Sequence, residues 1–350
     1  MVTDLSLFLT DQNCLFSVQG FSFVIFGFSC NLLFNNFLPW FVVVSLSPAT
    51  FFFTAGAILD FDLDRSMDDE IRIKPFVLAS TRKGSVDDAA SACTEALTAA
   101  GFTVAGVYKM NDKVRVLCIT NEELKRFAAQ SERGGFGACL RVACTAVDGG
   151  DVQISFTNPT YMAYAYRMNG NNKAMLDKLC QVLGKEKEFG SAKGKTEKSL
   201  RKYHYAVGME FFDEPETLAK YKDYQEAVSA CEENLAKNTD QVTKVCRIDI
   251  PGKQETLFVV GLHSADKYAK DEYYMAKIDL QPEKSTAHLP YEMLVSEHKV
   301  IALHARFRIA INFTDLDMVG DGSFASIMET PAAIKKTLQY ACGGKEKKDK

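Results

Sequence analysis

The chain has 350 residues, enough for two domains with full hydrophobic cores, and its formal net charge is −4. Residues 1–66 hold five acids and one base, so the rest of the chain carries 40 acidic and 40 basic side chains. This neutral body argues against a nucleic-acid partner, because such proteins present an excess of positive charge. The ten cysteines form no CxxC pair and no close Cys/His cluster along the sequence. We therefore expect buried reduced thiols, with no disulfide framework, metal site or cofactor.

Residues 1–66 differ in composition from everything that follows. They contain no lysine and a single arginine, Arg65, and the stretch 38–59 is uncharged and about long enough to cross a bilayer. Three interpretations stay open: a membrane anchor, a leader cleaved after 55–57, or an upstream extension of the gene model with the natural start at Met67. We expect a cytoplasmic protein if the start is Met67, and an anchored or exported one otherwise. A membrane partner is expected only if residues 1–66 are genuine.

Residues 67–184 have the pattern of one β-α-β4-α unit. Ser85 and Asp88 form a capping box at the start of its first helix, and Asn158-Pro159 suits the start of its last. The predicted elements are a strand at 71–80, a helix at 85–100, strands at 102–110 and 113–120, a helical excursion at 121–135, strands at 138–147 and 151–157, and a closing helix that pauses at 169–172 and resumes to 184.

A charged segment at 185–202 is predicted to be a surface linker, and residues 203–343 repeat the pattern, followed by a charged tail at 344–350. The predicted elements are a strand at 202–212, a helix at 224–238, strands at 241–250 and 256–262, a polar excursion at 263–288, strands at 291–297 and 299–314, and a closing helix at 330–343.

Two matches support the repeat. Both first helices contain Ser-Ala-Cys-x-Glu-x-Leu, at 91–97 and 229–235, and both last predicted strands end similarly, "ISFT" at 154–157 and "INFT" at 311–314. The sequence therefore predicts an α+β protein of two tandem β-α-β4-α repeats, each a curved antiparallel sheet with helices on one face.

Several segments resemble the bacterial domain family of unknown function 302. They are "LTAAGFTVAG", "CITN", "GGFGACLRVA" and "ISFTNPTYM" in the first half and "HLPYEMLV" in the second. Tyr291 stands where that family has the cysteine of its Leu-Pro-Cys segment, and Leu140 occupies the corresponding place in the first half. The resemblance covers most of 71–343. It implies a fold similar to that of the TATA-binding protein and implies no activity.

Helices can cover only one face of each predicted sheet, so the other face is free for a ligand or for the second repeat. Alternation along the predicted strand 299–314 places His304, Arg306 and Arg308 on a single face with Asn312 and Thr314, suited to an anion. The candidate ligand-binding residues are Arg141, Asn158, Tyr161, His288, Tyr291, His304, Arg306 and Arg308.

Three functions follow as hypotheses. The first is a non-enzymatic module that binds a small anionic or amphipathic ligand in a cleft between the repeats. The second is an interaction protein that uses open sheet faces to form a homodimer. The third is an enzyme of unrecognised class that uses His304, Arg306 and Cys139, the cysteine beside Arg141. The sequence has no G-x-S-x-G elbow, Walker loop, H-E-x-x-H or Rossmann fingerprint, which favours a protein without catalytic activity.

Overall fold

The computed structural model describes residues 71–206, 208–238 and 241–344, together with the backbone of five strands before residue 55. The five strands form an antiparallel sheet in chain order. They are β1 (Ser6–Thr10), β2 (Asn13–Val18), β3 (Phe21–Phe26), β4 (Phe41–Leu46) and β5 (Ala49–Thr54). The chain divides into two compact units, Met1–Glu70 and Ile71–Lys350.

The proposed cleavage site at 55–57, the proposed start at Met67 and most of the charged tail lie outside the described residues. No helix in the described part of the chain is both long enough and apolar enough to cross a bilayer.

The first half of the larger unit builds a six-stranded antiparallel sheet with the order β11-β6-β10-β9-β8-β7. Its elements are β6 (Phe76–Lys83), α1 (Val86–Ala99), β7 (Thr103–Asn111), β8 (Val114–Thr120), α2 (Glu122–Ala129), β9 (Leu140–Val147), β10 (Asp151–Thr157), α3 (Pro159–Ala165), α4 (Lys173–Leu183) and β11 (Lys187–Phe189). Ser85 caps α1 by accepting from the backbone N–H of Asp88 at 3.0 Å, as its sequence predicts.

The second half builds a five-stranded antiparallel sheet with the order β12-β16-β15-β14-β13. Its elements are α5 (Glu197–Arg201), β12 (Glu216–Lys220), α6 (Tyr224–Ala236), β13 (Val242–Asp249), β14 (Glu255–Leu262), α7 (Asp271–Ile278), β15 (Tyr291–Ser296), β16 (Lys299–Ala302), α8 (Ala305–Asn312) and α9 (Thr330–Ala341).

The two sheets match strand for strand, apart from the extra edge strand β11. A β-bulge even falls at the same place in both, between Val104 and Gly106 in β7 and between Lys244 and Cys246 in β13. The α+β prediction is confirmed. The stretch predicted as a linker, 185–202, instead contains β11, which pairs with β6, and the short helix α5.

The predicted strand at 202–212 is wrong, and β12 takes its place. The aromatic residues that suggested a strand belong to irregular backbone, and their side chains are buried. The Tyr203 hydroxyl donates to the Ala310 carbonyl at 2.9 Å, and the Phe212 ring stacks on Tyr166 with centroids 5.4 Å apart. Burial of large apolar side chains produced the pattern without any partner strand.

The predicted strand at 299–314 is also wrong beyond Ala302, because residues 305–312 form α8. His304 is the residue before this helix, and Arg306 and Arg308 point about 200° apart around its axis. The expected polar face shared by these three residues therefore does not exist. "ISFT" ends a strand whereas "INFT" ends a helix, so the two stretches are not equivalent.

The hydrophobic core has two layers. Helices α1 and α4 cover one face of the first sheet with side chains such as Leu97 and Leu179, both fully buried. The opposite face packs on the second half through residues such as Val116 and Cys118, which join one continuous core with β13, β14 and β15. Every residue of the central strands β8 and β14 is consequently buried. Of the uses expected for the face that the helices leave bare, the structure shows packing against the second half.

Candidate functional site

A buried ion cluster lies between the two sheets. Arg141 on β9 donates from Nη2 to Glu292 Oε2 on β15 at 2.7 Å, and Arg308 on α8 donates from Nε to both Glu292 oxygens at 3.1 Å. Glu292 is fully buried, and the arginines are 5 % and 2 % exposed. We call these three residues the central ion cluster. Its two cations share one carboxylate, so it has a net positive charge in a region that water does not reach.

The Arg308 guanidinium is also held by neutral groups. Its Nη2 donates to the carbonyls of His288 and Pro290, each at 2.6 Å, and it lies 4.4 Å from the centre of the Tyr291 ring. Its Nη1 lies 3.1 Å from His288 Nε2. Since a guanidinium cannot accept a hydrogen bond, Nε2 is the acceptor and Nδ1 carries the imidazole proton. Burial and then Arg308 hold the pKa of His288 well below its usual value, so the ring is neutral.

Arg141 and Glu292 occupy matching positions in the two sheets. Val104, the last residue before the β7 bulge, pairs with Ile119 in β8, which pairs with Leu140 in β9, and Arg141 follows Leu140. In the same way Lys244, before the β13 bulge, pairs with Val260 in β14, which pairs with Tyr291 in β15, and Glu292 follows Tyr291. The two halves therefore meet where their matching strands β9 and β15 face each other. A cation in one half and an anion in the other form the contact.

Asn158 and Tyr161, two further candidates, stabilise the fold. The Asn158 side chain caps α3, accepting from Thr160 N at 3.1 Å and Tyr161 N at 3.3 Å, and it donates to the Lys74 carbonyl at 3.0 Å. The Tyr161 hydroxyl donates to the carbonyl of Ile311 in α8 at 2.7 Å and so joins the two halves.

His304 and Arg306 belong to a separate, half-buried group. His304 Nε2 lies 2.8 Å from Glu216 Oε1 and 3.2 Å from Glu210 Oε1, Arg306 pairs with Glu210, and Lys335 Nζ lies 2.9 Å from Glu216 Oε2. Burial opposes ionisation of Glu216, but His304 and Lys335 outweigh it, so its pKa is below the usual value. The structure thus divides the predicted site residues between two places.

A groove of about 620 Å³ opens at the seam between the halves. We call it the seam groove. One wall is the loop after α2. The other walls are the β13–β14 hairpin, the β15–β16 hairpin and the segment before β12. Its lining includes Arg133, Lys253, Lys299, Glu132, Glu255 and Glu297. No Lys299 ion pair is present within the described residues, whereas Arg133 pairs with Glu132 at 2.9 Å and Lys253 lies 3.4 Å from Glu255.

Three cysteines meet in the core. The Sγ atoms of Cys118, Cys139 and Cys246 all lie within 4.8 Å of one another, and all three residues are buried. These cysteines are far apart along the sequence, and β8, the residue before β9 and β13 bring them together. Cys139 also lies beside Arg141, whose Nη1 donates to the Cys139 carbonyl at 3.1 Å.

The residues that sequence reasoning missed are chiefly acids and partners distant in sequence. Glu292 carried one available signal: it is the single charged residue in the otherwise apolar run 289–295. A buried carboxylate requires a cation or hydrogen-bond donors. The identity of those partners depends on packing between the halves and has no counterpart in local spacing.

A second buried carboxyl, that of Asp271, links the halves at the first residue of α7. It accepts from the Tyr108 hydroxyl at 2.7 Å and from Leu262 N at 2.9 Å. Burial raises its pKa from 3.8 to about 6 despite these hydrogen bonds. Asp279, which accepts from Ser285 N at 3.0 Å with both oxygens, is raised to about 6 in the same way.

These shifts predict a pH-dependent stability. The folded protein binds the Asp271 proton more tightly than the unfolded chain does, so this group's contribution is fully present below about pH 4 and is lost as the pH rises through about 6. As the pH rises from about 4 to about 6, we expect the free energy of unfolding of Asp271→Asn to increase by up to about 3 kcal/mol relative to that of the wild type. Urea denaturation at a series of pH values measures this difference. Asp177→Asn, an exposed control, should show no such trend. A constant difference between Asp271→Asn and the wild type would contradict the shift.

No protein-family model, curated protein or solved structure matches this chain.

Proposed function

We propose that residues 71–344 form a non-enzymatic module that binds a small anionic ligand in the seam groove. The observation that carries this proposal is the groove itself: its volume of about 620 Å³ lies within the range of small-molecule sites, roughly 300–1,000 Å³, and both halves contribute walls. A cleft between two matching halves is where such a ligand is expected. We further propose that the halves are two copies of one domain, related to the family of unknown function 302.

Two lysines in the groove lining, Lys253 and Lys299, are the donors that an anion would use. Glu255 is only 6 % exposed, and its Oε2 accepts from Gly135 N at 3.2 Å, so part of its charge is already neutralised within the protein. Glu132 is matched by Arg133. Lys299 and Glu297 have no ion pair among the described residues, so Lys299 is the lining cation that no lining acid holds, and Lys253 lines the same groove. A carboxylate or phosphate placed there would accept charge-assisted hydrogen bonds from both lysines.

Lys299→Gln should weaken anion binding by about tenfold or more, since a hydrogen bond to a charged group contributes roughly 1.5–3 kcal/mol. The measurement is isothermal titration of the full-length chain with inorganic phosphate and with succinate. Native mass spectrometry of the untreated protein would report a ligand retained during purification.

The matched control is Lys113→Gln, an exposed lysine in the turn between β7 and β8 and distant from the groove lining. It should bind as the wild type does. The proposal fails if Lys299→Gln and wild type bind both anions equally, or if neither anion binds and no small molecule is retained.

A further inference from the structure

We propose that Cys118, Cys139 and Cys246 form a binding site for a thiophilic metal ion, and that the donor set suits Cu(I). The three Sγ atoms lie within 4.8 Å of one another, so small movements bring all three within bonding distance of one central ion. The residues are 0 %, 2 % and 5 % exposed. This site is independent of the seam groove, because none of the three cysteines lines it.

The fold explains the convergence. Cys118 pairs with Arg141 across β8 and β9, and Cys139 precedes Arg141 by two residues, so both cysteines lie on the sheet face turned toward the second half. Cys246 follows the bulge in β13 and reaches the same place from the second half. One ion there would join the two halves.

When each strand of one half is matched with its counterpart in the other half, the three cysteines correspond to residues without thiols. Val259 corresponds to Cys118, Pro290 to Cys139 and Gly106 to Cys246. The same fold is therefore packed at the corresponding positions by residues that cannot bind a metal ion. Packing alone does not require three cysteines, so we attribute their presence to the thiol group that they share.

The number and type of ligands select the ion. Thiolates are soft donors that favour Cu(I) and Zn(II), but structural Zn(II) takes four ligands. The cluster offers three among the described histidine, cysteine and acidic side chains, which suits trigonal Cu(I). Each thiol releases its proton to solvent as a Cu–S bond forms, and the copper keeps its oxidation state.

A cation lies beside the cluster: the Arg141 guanidinium donates from Nη1 to the Cys139 carbonyl at 3.1 Å. Arg141 Nε is buried without a hydrogen-bond partner. Its positive charge would offset part of the charge of a Cu(I) ion with three thiolates.

The test is anaerobic titration of the reduced full-length chain with Cu(I), supplied as its acetonitrile complex in the presence of a competing chelator. The expected result is one tightly bound ion per chain, an ultraviolet thiolate-to-copper charge-transfer band, and three Cu–S contacts by X-ray absorption. Cys139→Ser should lose the band and the tight binding. Cys180→Ser, a half-buried thiol on α4 outside the cluster, should keep both.

The X-ray absorption result on the wild type tests the proposal even if Cys139→Ser does not fold. Fewer than three Cu–S contacts, or equally tight binding by folded Cys139→Ser, would overturn it. So would failure of the wild type to retain Cu(I) while mild oxidation joins two of the three thiols with loss of two hydrogens, because the cluster would then be a redox pair.

Discussion

Glu292→Gln should lower the free energy of unfolding of the 71–344 unit by about 3–5 kcal/mol, the range for removing one partner of a buried ion pair. The substitution keeps the size of the side chain but leaves the two buried guanidiniums of the central ion cluster, Arg141 and Arg308, without an anion. Urea denaturation followed by near-ultraviolet circular dichroism of tyrosine measures it. All 13 tyrosines lie after residue 70 and the single tryptophan, Trp40, lies before it, so in a Trp40→Phe background the tyrosine signal reports this unit.

The matched control is Glu123→Gln, an exposed glutamate on α2, which should change stability by less than about 0.5 kcal/mol. A double-mutant cycle with Arg141→Met then measures the direct coupling across the two sheets. If Glu292→Gln is no more destabilising than the control, the central ion cluster does not stabilise the contact between the halves.

The first half was predictable because local signals and global packing agree there. Ser85, Asn121 and Asn158 each cap the helix that follows them, and Pro159 occupies the first turn of α3. The strands are continuous apolar or alternating runs of ordinary length. Each local preference thus points to the same structure as the tertiary fold does, which is the condition under which sequence reasoning succeeds.

The second half was less predictable because α8 is buried on nearly all sides. Seven of its eight residues are buried, including Arg308 and Asn312, so it has no exposed polar face to show a helical period. Its alternating Phe, Ile and polar residues resemble a strand instead. The polar and apolar residues of a helix surrounded by protein are set by the elements that pack against it. Those contacts cannot be read from the sequence of the helix itself.

Part of the candidate site could be predicted from the sequence. Four residues that the sequence analysis proposes separately lie together, because polar residues within apolar segments mark buried networks. They are Arg141, His288, Tyr291 and Arg308. Their role could not be derived, since the acid that organises them lies on the other sheet from Arg141. The three-thiol cluster was hidden likewise, as more than a hundred residues separate Cys139 from Cys246.

Gly106→Ala should destabilise the same unit by about 3 kcal/mol, the upper part of the range for overpacking a tight contact. Gly106 lies at the β7 bulge, and a Cβ there would come 2.2 Å from the Val245 carbonyl oxygen and 2.9 Å from its carbon. These are backbone atoms of β13 and cannot rotate away as a flexible side chain can. Relief requires β7 and β13 to separate, which would loosen the junction of the two halves. The tyrosine signal in urea denaturation measures this as well.

The sign of the effect makes this prediction decisive. In an open strand position, Gly→Ala stabilises by roughly 0.5–1 kcal/mol, because glycine loses more backbone freedom on folding. Val107→Ala, a half-exposed position on the same strand, serves as the control and should cost less than about 1 kcal/mol. A stabilised Gly106→Ala protein would show that β7 and β13 do not approach closely, and the joining of the halves along this edge would have to be abandoned.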